Sequence, residues 1–166
     1  MKNLEYKYSD RTALHANFVV VKKLGVLIMG NPSIGKSELT LSLLDRGHQM
    51  VCDDVVDITY KDNQLIGSCP SISYGYILIS GIGIIHVPKF FGPNSIVSQY
   101  GISLIIKLIK HEKNRVIADL FNPISQKEKI LDTTVPSIMF PISRRRGNLP
   151  LLIEMLIRNQ NLKMKC

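Results

Sequence analysis

The sequence has 166 residues, of which 45% are apolar and 20% are charged, and its formal net charge is +8. This length can bury one sizeable core but not two full-size domains, so we expect a single domain over residues 1–166. The composition excludes a disordered or fibrous chain. Three cysteines, Cys52, Cys69 and Cys166, are too few for a disulfide framework, and we interpret them as reduced structural thiols.

The N-terminal residues lack the apolar stretch of a signal peptide, and no run is long enough to span a membrane, which predicts a cytoplasmic protein. The positive charge attracts polyanions, but the basic residues are dispersed apart from residues 144–146. No aromatic-interleaved basic stripe accompanies them, so nucleic acid is not favoured as a partner. A nucleotide ligand, an acidic protein partner or a compositional bias toward lysine explains the charge equally well.

The first third of the chain predicts the order strand, loop, helix. Apolar branched runs at Phe18–Val21 and Gly25–Met29 predict two strands joined by a tight turn. Residues 30–35 then form a glycine-bearing loop. Leucines recur at helical spacing from Lys36 onward, and Gly47 stands where a left-handed helix cap is expected.

The rest of the chain is rich in strand patterns, and a final helical pattern covers Leu149–Arg158. We predict strands over Met50–Cys52, Val55–Tyr60, Gln64–Ser68, Ser103–Ile109 and Arg115–Leu120, and buried strand material at Ile77–Ile79 and Ile84–Val87. This inventory predicts an α/β fold with mixed, strand-rich sheets and a few helices.

The loop after the second strand matches the phosphate-binding pattern GxxxxGK[ST] in full. Its glycines let backbone N–H groups turn toward phosphate oxygens, its lysine reaches the terminal phosphates, and its serine hydroxyl ligates Mg²⁺. The following helix adds the positive end of its dipole. The pattern therefore predicts that ATP with Mg²⁺ binds at Gly30, Asn31, Pro32, Ser33, Ile34, Gly35, Lys36 and Ser37.

An acidic pair, Asp53 and Asp54, follows the next predicted strand. In P-loop enzymes an acid at a strand end meets the Mg²⁺ or orients the attacking group. Adjacent carboxylates on an extended chain point in opposite directions, so one of the two should face a given phosphate. A solvated turn is the alternative. His15, just before the first predicted strand, becomes of interest if the fold brings it beside Asp53.

Four segments together resemble the catalytic domain of HPr kinase/phosphorylase: Leu14-His15, GVLIMGNPSIGKSE, DRGHQMVCDDVVDI and ISGIGIIHVP. The resemblance extends from about Thr12 to Arg158, and P-loop proteins in general do not share the arrangement RGHxxVxDD after the P-loop helix. It implies a P-loop fold like the nucleotide-binding core of phosphoenolpyruvate carboxykinase. It also implies a short form without the N-terminal domain of longer members, and usually a hexamer.

The resemblance further implies phosphoryl transfer from ATP, with Mg²⁺, to a serine of HPr or an HPr-like phosphocarrier, and in bifunctional members the reverse reaction. Asp53 matches the acid that exchanges the serine proton, and His15 matches the histidine near it. Asp54 matches a second acid, which we assign to the metal together with Ser37. Arg144 and Arg146 lie in a basic loop that matches the substrate-facing arginine segment, although a solvated basic turn is the alternative.

One segment departs from the family. Where the family usually has Glu-x-Arg-Gly, this chain has Leu78, Ile79, Ser80 and Gly81. The loss of an acid and a base keeps open the alternative of a nucleotide-binding regulator without turnover. A small-molecule kinase that shares only the phosphate loop is a third alternative, which no sequence feature supports.

Overall fold

The computed structural model describes residues 10–111, 126–143 and 147–166. Its helices are α1 (Lys36–Asp45), α2 (Val87–Phe91) and α3 (Leu149–Met164), with a 3₁₀ turn at Pro93–Ser95. Its strands are β1 (Arg11–His15), β2 (Asn17–Val21), β3 (Leu24–Gly30), β4 (Gln49–Cys52), β5 (Val55–Lys61), β6 (Gln64–Ser68), β7 (Tyr76–Ile79), β8 (Gly83–His86), β9 (Gln99–Gly101), β10 (Leu104–Lys110), β11 (Gln126–Ile130) and β12 (Thr133–Ile142). The structure is therefore a mixed α/β fold, rich in strands, as predicted.

A six-stranded sheet of order β11-β12-β10-β3-β2-β4 lies at the centre of the fold. In it, β10 runs parallel to β3 and β12, whereas β2 pairs antiparallel with β3 and β4. Helices α1 and α3 pack on one face of this sheet, and the four-stranded sheet β1-β5-β6-β9 packs on the other. Both faces of the central strands are thus covered.

The side chains of β2 divide between two cores with a period of two residues. Val19 and Val21 join the core beneath the helices, whereas Phe18 and Val20 join the core between the sheets. Because successive side chains of a strand point to opposite faces, a strand buried on both faces must be apolar throughout. This explains the apolar runs of β2, β3 and β10, whose polar residues are Asn17 at the start of β2 and Lys107 and Lys110 in β10.

The two-stranded hairpin β7–β8 stands apart from the larger sheets. Ile77 and Ile79 are buried in a small core, but Leu78 and its cross-strand partner Ile84 are 60% and 73% exposed. The sequence prediction of buried strand material is therefore right for one face of the hairpin only. The other face presents apolar side chains to solvent.

Several further boundaries differ from the sequence predictions. His15 is the last residue of β1, which was not predicted, and Val87 begins α2 rather than ending a strand. Helix α3 continues past Arg158 to Met164. Strands β9, β11 and β12 were also not predicted, and the strand predicted over Arg115–Leu120 lies outside the described residues. Within the described part of the chain, no helix has the length and apolarity needed to cross a bilayer.

A glycine at position 25 is required where β3 passes β9. A Cβ atom at Gly25 would lie 1.9 Å from the carbonyl oxygen of Gly101 and 3.1 Å from the Phe18 ring. Overpacking of this kind typically costs 1–3 kcal/mol, so we expect Gly25→Ala to lower the free energy of unfolding by about 2 kcal/mol. Urea unfolding checks this value.

Gly147→Ala is the matched control for that measurement. Among the described residues, a Cβ atom at Gly147 would meet nothing within 4 Å. This variant should keep the stability of the parent to within about 0.5 kcal/mol. Equal stability of the two variants would show that β3 and β9 are not in contact.

Candidate active site

The phosphate loop connects the end of β3 to the start of α1. Gly30 is required by close packing, since a Cβ atom there would lie 2.9 Å from the carbonyl oxygen of Leu108. Ser33 and Gly35 have φ values of 64° and 109°, in the left-handed region, and the Ile34 N–H donates to the Asn31 carbonyl. Left-handed residues in such a turn allow backbone N–H groups to converge on an anion.

Lys36 and Ser37, the first residues of α1, both contact the predicted site. The Lys36 ammonium donates to the carbonyl oxygens of Gly30 and Asn31, at 2.9 and 3.1 Å, so it lies across the mouth of the loop. The Ser37 hydroxyl donates to Oδ1 of Asp53 at 2.8 Å. The loop serine and a strand-end acid are therefore brought together, as the motif requires.

Asp53 is held by three hydrogen bonds. Its Oδ1 accepts from Ser37 and, at 2.8 Å, from the amide of Asn17, and its Oδ2 accepts from the Leu78 backbone N–H at 3.1 Å. The half-buried carboxylate is thus fixed in orientation. Such a carboxylate is suited to ligating a cation beside the serine hydroxyl.

Asn17, a residue that the sequence analysis missed, organises the acidic pair. It is 1% exposed, and its amide nitrogen donates to Thr40 and Asp53 while its oxygen accepts from the Asp54 N–H. A buried polar group without partners is costly, and here each atom of the amide has one. The available sequence signal was a lone asparagine at the head of an apolar strand.

Asp54 and His15 form an exposed pair at the same end of the fold. The backbone of Asp54 is left-handed, with φ of 71°, so the two acids are not consecutive residues of an extended strand. Asp54 Oδ1 lies 3.9 Å from His15 Nδ1, and both side chains are largely exposed. The resemblance implies a histidine near Asp53, and Asp54 is assigned with Ser37 to the metal. In the structure His15 lies beside Asp54, and Ser37 contacts Asp53.

Two clefts meet at this acidic pair. The phosphate-loop cleft, of about 560 Å³, is lined by the loop, by Asn17 and Asp54, and by the β7–β8 hairpin. The apolar cleft, of about 660 Å³, includes Asp53, Asp54, Ile72, Tyr76, Leu78 and Ile84. Asp54 and Leu78 line both clefts. A group bound in one cleft can therefore approach a group bound in the other at Asp54.

The residues of the phosphate-loop cleft fit a magnesium nucleotide. Ser37 and Lys36 line this cleft, and Asp53, which lines the apolar cleft, is hydrogen-bonded to the Ser37 hydroxyl. Ser37 and Asp53 provide a hydroxyl and a carboxylate, the hard oxygen ligands that Mg²⁺ prefers, and Lys36 supplies a cation for phosphate oxygens. Arg144 and Arg146, the predicted substrate-binding residues, lie outside the described residues. Their assignment stays a prediction.

Comparison with known proteins agrees with this geometry. The family model for the HPr Serine kinase C-terminal domain matches residues 6–166. The chain belongs to this family. It is 36% identical over 157 residues to an HPr kinase/phosphorylase of Chromobacterium violaceum, covering 93% of this chain and 49% of that protein. It is 38% identical over 161 residues to one of Bacillus licheniformis, covering 96% and 51%.

The solved structures include a similar chain of nearly the same extent. The structure of the Hpr(Ser) kinase/phosphatase from Coxiella burnetii superimposes with a TM-score of 0.87 at 57% identity, covering 93% of each chain. In contrast, this chain spans about half the length of the curated relatives it matches. The resemblance seen in the sequence is confirmed at the level of the family.

Proposed function

We propose that this chain is an ATP-dependent protein-serine kinase that phosphorylates HPr or an HPr-like phosphocarrier protein, and that it also catalyses the reverse, phosphorylase, reaction. The junction of the two clefts at Asp54 carries the proposal, because phosphoryl transfer requires donor and acceptor to meet in line beside a base. A nucleotide-binding core like that of phosphoenolpyruvate carboxykinase belongs to the same proposal. A hexamer and a cytoplasmic location remain predictions.

On the donor side, backbone N–H groups of the loop and the Lys36 ammonium bind the terminal phosphates of ATP. The Ser37 hydroxyl and the Asp53 carboxylate would hold Mg²⁺, which would supply positive charge for the transferring phosphoryl group. Their mutual hydrogen bond of 2.8 Å keeps both oxygens in one place before the cation binds. We therefore assign the metal to Ser37 and Asp53.

On the acceptor side, Asp54 accepts the proton of the serine hydroxyl as the new oxygen–phosphorus bond forms and the bond to ADP breaks. In the reverse direction it returns that proton. Asp54 suits this part better than Asp53 because it is exposed and lines both clefts, whereas the Ser37 hydroxyl is bonded to Asp53. His15 Nδ1 lies 3.9 Å from this carboxylate, at the same end of the fold.

Transfer of labelled γ-phosphate from Mg-ATP to the HPr-like protein of the same organism tests the proposal. We expect a labelled serine on the acceptor, and no labelling when Lys36→Met replaces the parent chain. ATP binding without transfer would instead identify the chain as a nucleotide-binding regulator, the alternative suggested by Leu78 and Ser80.

Leu78 should determine how well the acceptor binds. Its exposed side chain lines both clefts beside Ile84, so apolar residues flanking the acceptor serine would cover it. Exposing one apolar side chain that a complex buries costs about 1.4 kcal/mol or more. We expect Leu78→Ser to raise the KM for the acceptor about ten-fold, a larger change than in the KM for ATP.

Leu162→Ser is the matched control, because Leu162 is 66% exposed on α3 and lines neither cleft. Its acceptor KM should equal that of the parent. If the acceptor KM is unchanged in Leu78→Ser, the apolar cleft is not part of the acceptor-binding site.

A further inference from the structure

Two cysteine thiols lie in contact beside the acidic pair. Cys52, the last residue of β4, is buried, and Cys69, the residue after β6, is half-buried. Their Sγ atoms are 2.7 Å apart although 17 positions separate them in the chain. Cys52 Sγ also lies 2.8 Å from the Val55 carbonyl oxygen, and Cys69 Sγ lies 3.5 Å from the Ser73 hydroxyl.

The two thiols differ in accessibility. Cys52 is fully buried, whereas Cys69 is half-buried and can be reached from solvent. Exchange with a disulfide requires a thiol that the disulfide can approach, so Cys69 is the thiol of the pair that meets an external disulfide.

We propose that Cys52 and Cys69 form a reversible redox site that exchanges with low-molecular-weight disulfides, such as oxidised glutathione. The Cys69 thiolate attacks one sulfur of the external disulfide, forming a mixed disulfide and releasing one thiolate. Cys52 then attacks Cys69 Sγ, releasing the second thiolate, and its proton passes to that leaving group. The two cysteines are oxidised to one internal disulfide, and the external disulfide is reduced to two thiols.

The order of attack follows from the geometry. Cys69 is the partly exposed thiol, so it meets the external disulfide first. Cys52 already lies in contact with the sulfur that it attacks, so the second step needs no approach of the two cysteines from a distance.

The internal disulfide should act on the acidic pair and on the apolar cleft. Cys52 is bonded directly to Asp53, and Cys69 directly to Pro70, which lines the apolar cleft together with Asp53 and Asp54. A disulfide requires the sulfur atoms to be about 2.05 Å apart, so bond formation draws the end of β4 toward the loop at Pro70. Resting on the proposed function, we expect oxidation to slow acceptor phosphorylation about five-fold.

The site itself is tested without any activity assay. The folded chain is equilibrated with mixtures of reduced and oxidised glutathione, quenched with acid and mapped by peptide mass. We expect a Cys52–Cys69 linkage lacking two hydrogens, fully reversed by dithiothreitol, and the same product in Cys166→Ser. Cys52→Ala should stop at glutathione on Cys69, and Cys69→Ser should give neither product within the pair.

Failure of the linkage to form at any glutathione ratio, while the exposed Cys166 reacts, overturns the proposal. So does alkylation by iodoacetamide that labels Cys52 faster than Cys69 in the parent chain, a measurement that needs no variant to fold. If the linkage forms and no phosphotransfer is found, the redox site stands and the proposed kinase function fails. The two outcomes are therefore distinguishable.

Discussion

Replacing Asp54 with Asn should lower the rate of phosphotransfer about 10²–10⁴-fold, the range typical for loss of a general base. The amide keeps the size of the side chain but cannot accept the serine proton. Because the Ser37 hydroxyl is bonded to Asp53 and not to Asp54, the affinity for Mg-ATP should stay within about two-fold of the parent. Single-turnover transfer to the HPr-like protein, alongside calorimetric binding of Mg-ATP, measures both quantities.

Asp53→Asn is the matched comparison, because it alters the neighbouring carboxylate in the same way. Asp53 bonds the Ser37 hydroxyl, so its loss should raise the Mg²⁺ concentration needed for half-maximal rate, and excess Mg²⁺ should restore part of the activity. If instead Asp53→Asn abolishes transfer at every Mg²⁺ concentration and Asp54→Asn does not, Asp53 is the base. That result would restore the roles expected from the resemblance.

The phosphate loop could be predicted from sequence because its chemistry is local. Eight consecutive residues fix the turn, the lysine and the serine, and flanking apolar patterns fix the strand and the helix. The acidic pair was also found. Which acid faces which partner could not be derived, because that depends on the left-handed backbone of Asp54 and on Asn17, a residue 36 positions before Asp53.

The strand predictions failed where the pairing partners are far apart in the sequence or where a proline lies within a strand. Strand β12 contains Pro136 and Pro141, which argue against a strand between two neighbours, yet it pairs with both β10 and β11. Strand β1 places His15 at the active site only because it pairs antiparallel with β5, bringing His15 opposite Val55. No periodicity within residues 11–15 specifies that partner.

The buried carboxylate of Glu154 should make the stability of the chain depend on pH in the acid range. Glu154, on α3, is 3% exposed, and Arg46 binds both of its oxygens at 2.7 Å while His48 Nε2 lies 2.5 Å from one of them. The Arg46 guanidinium is the main cause that lowers the pKa of Glu154 to about 2, with His48 adding to it and burial opposing it.

The sign of the effect follows from this depressed pKa. Above the pKa of the unfolded chain, near 4.5, Glu154 is ionised in both states and its interactions stabilise the fold. As the pH falls from about 4.5 toward 2, Glu154 takes up a proton in the unfolded chain before it does so in the folded chain. The contribution of Glu154 to the free energy of unfolding is therefore lost over this range. The difference between the two pKa values corresponds to about 3 kcal/mol.

Glu154→Gln isolates this contribution, because glutamine keeps the shape but not the charge. At pH 7 we expect the variant to unfold with a free energy about 3 kcal/mol lower than the parent. Most of that difference should disappear between about pH 5 and pH 2.5, as measured by urea unfolding at each pH. Asp62→Asn, at an exposed turn between β5 and β6, controls for the loss of one acid and should follow the parent throughout.

The result also decides how α3 is attached to the phosphate-loop helix. Arg46 and His48 follow α1 directly, so their contacts with Glu154 join the end of the helix that begins at Lys36 to α3. If the gap between parent and Glu154→Gln is as large at pH 3 as at pH 7, its origin is packing and not charge. A gap that closes on acidification would instead identify the arginine and histidine of the RGHxxVxDD segment as the electrostatic link between the two helices.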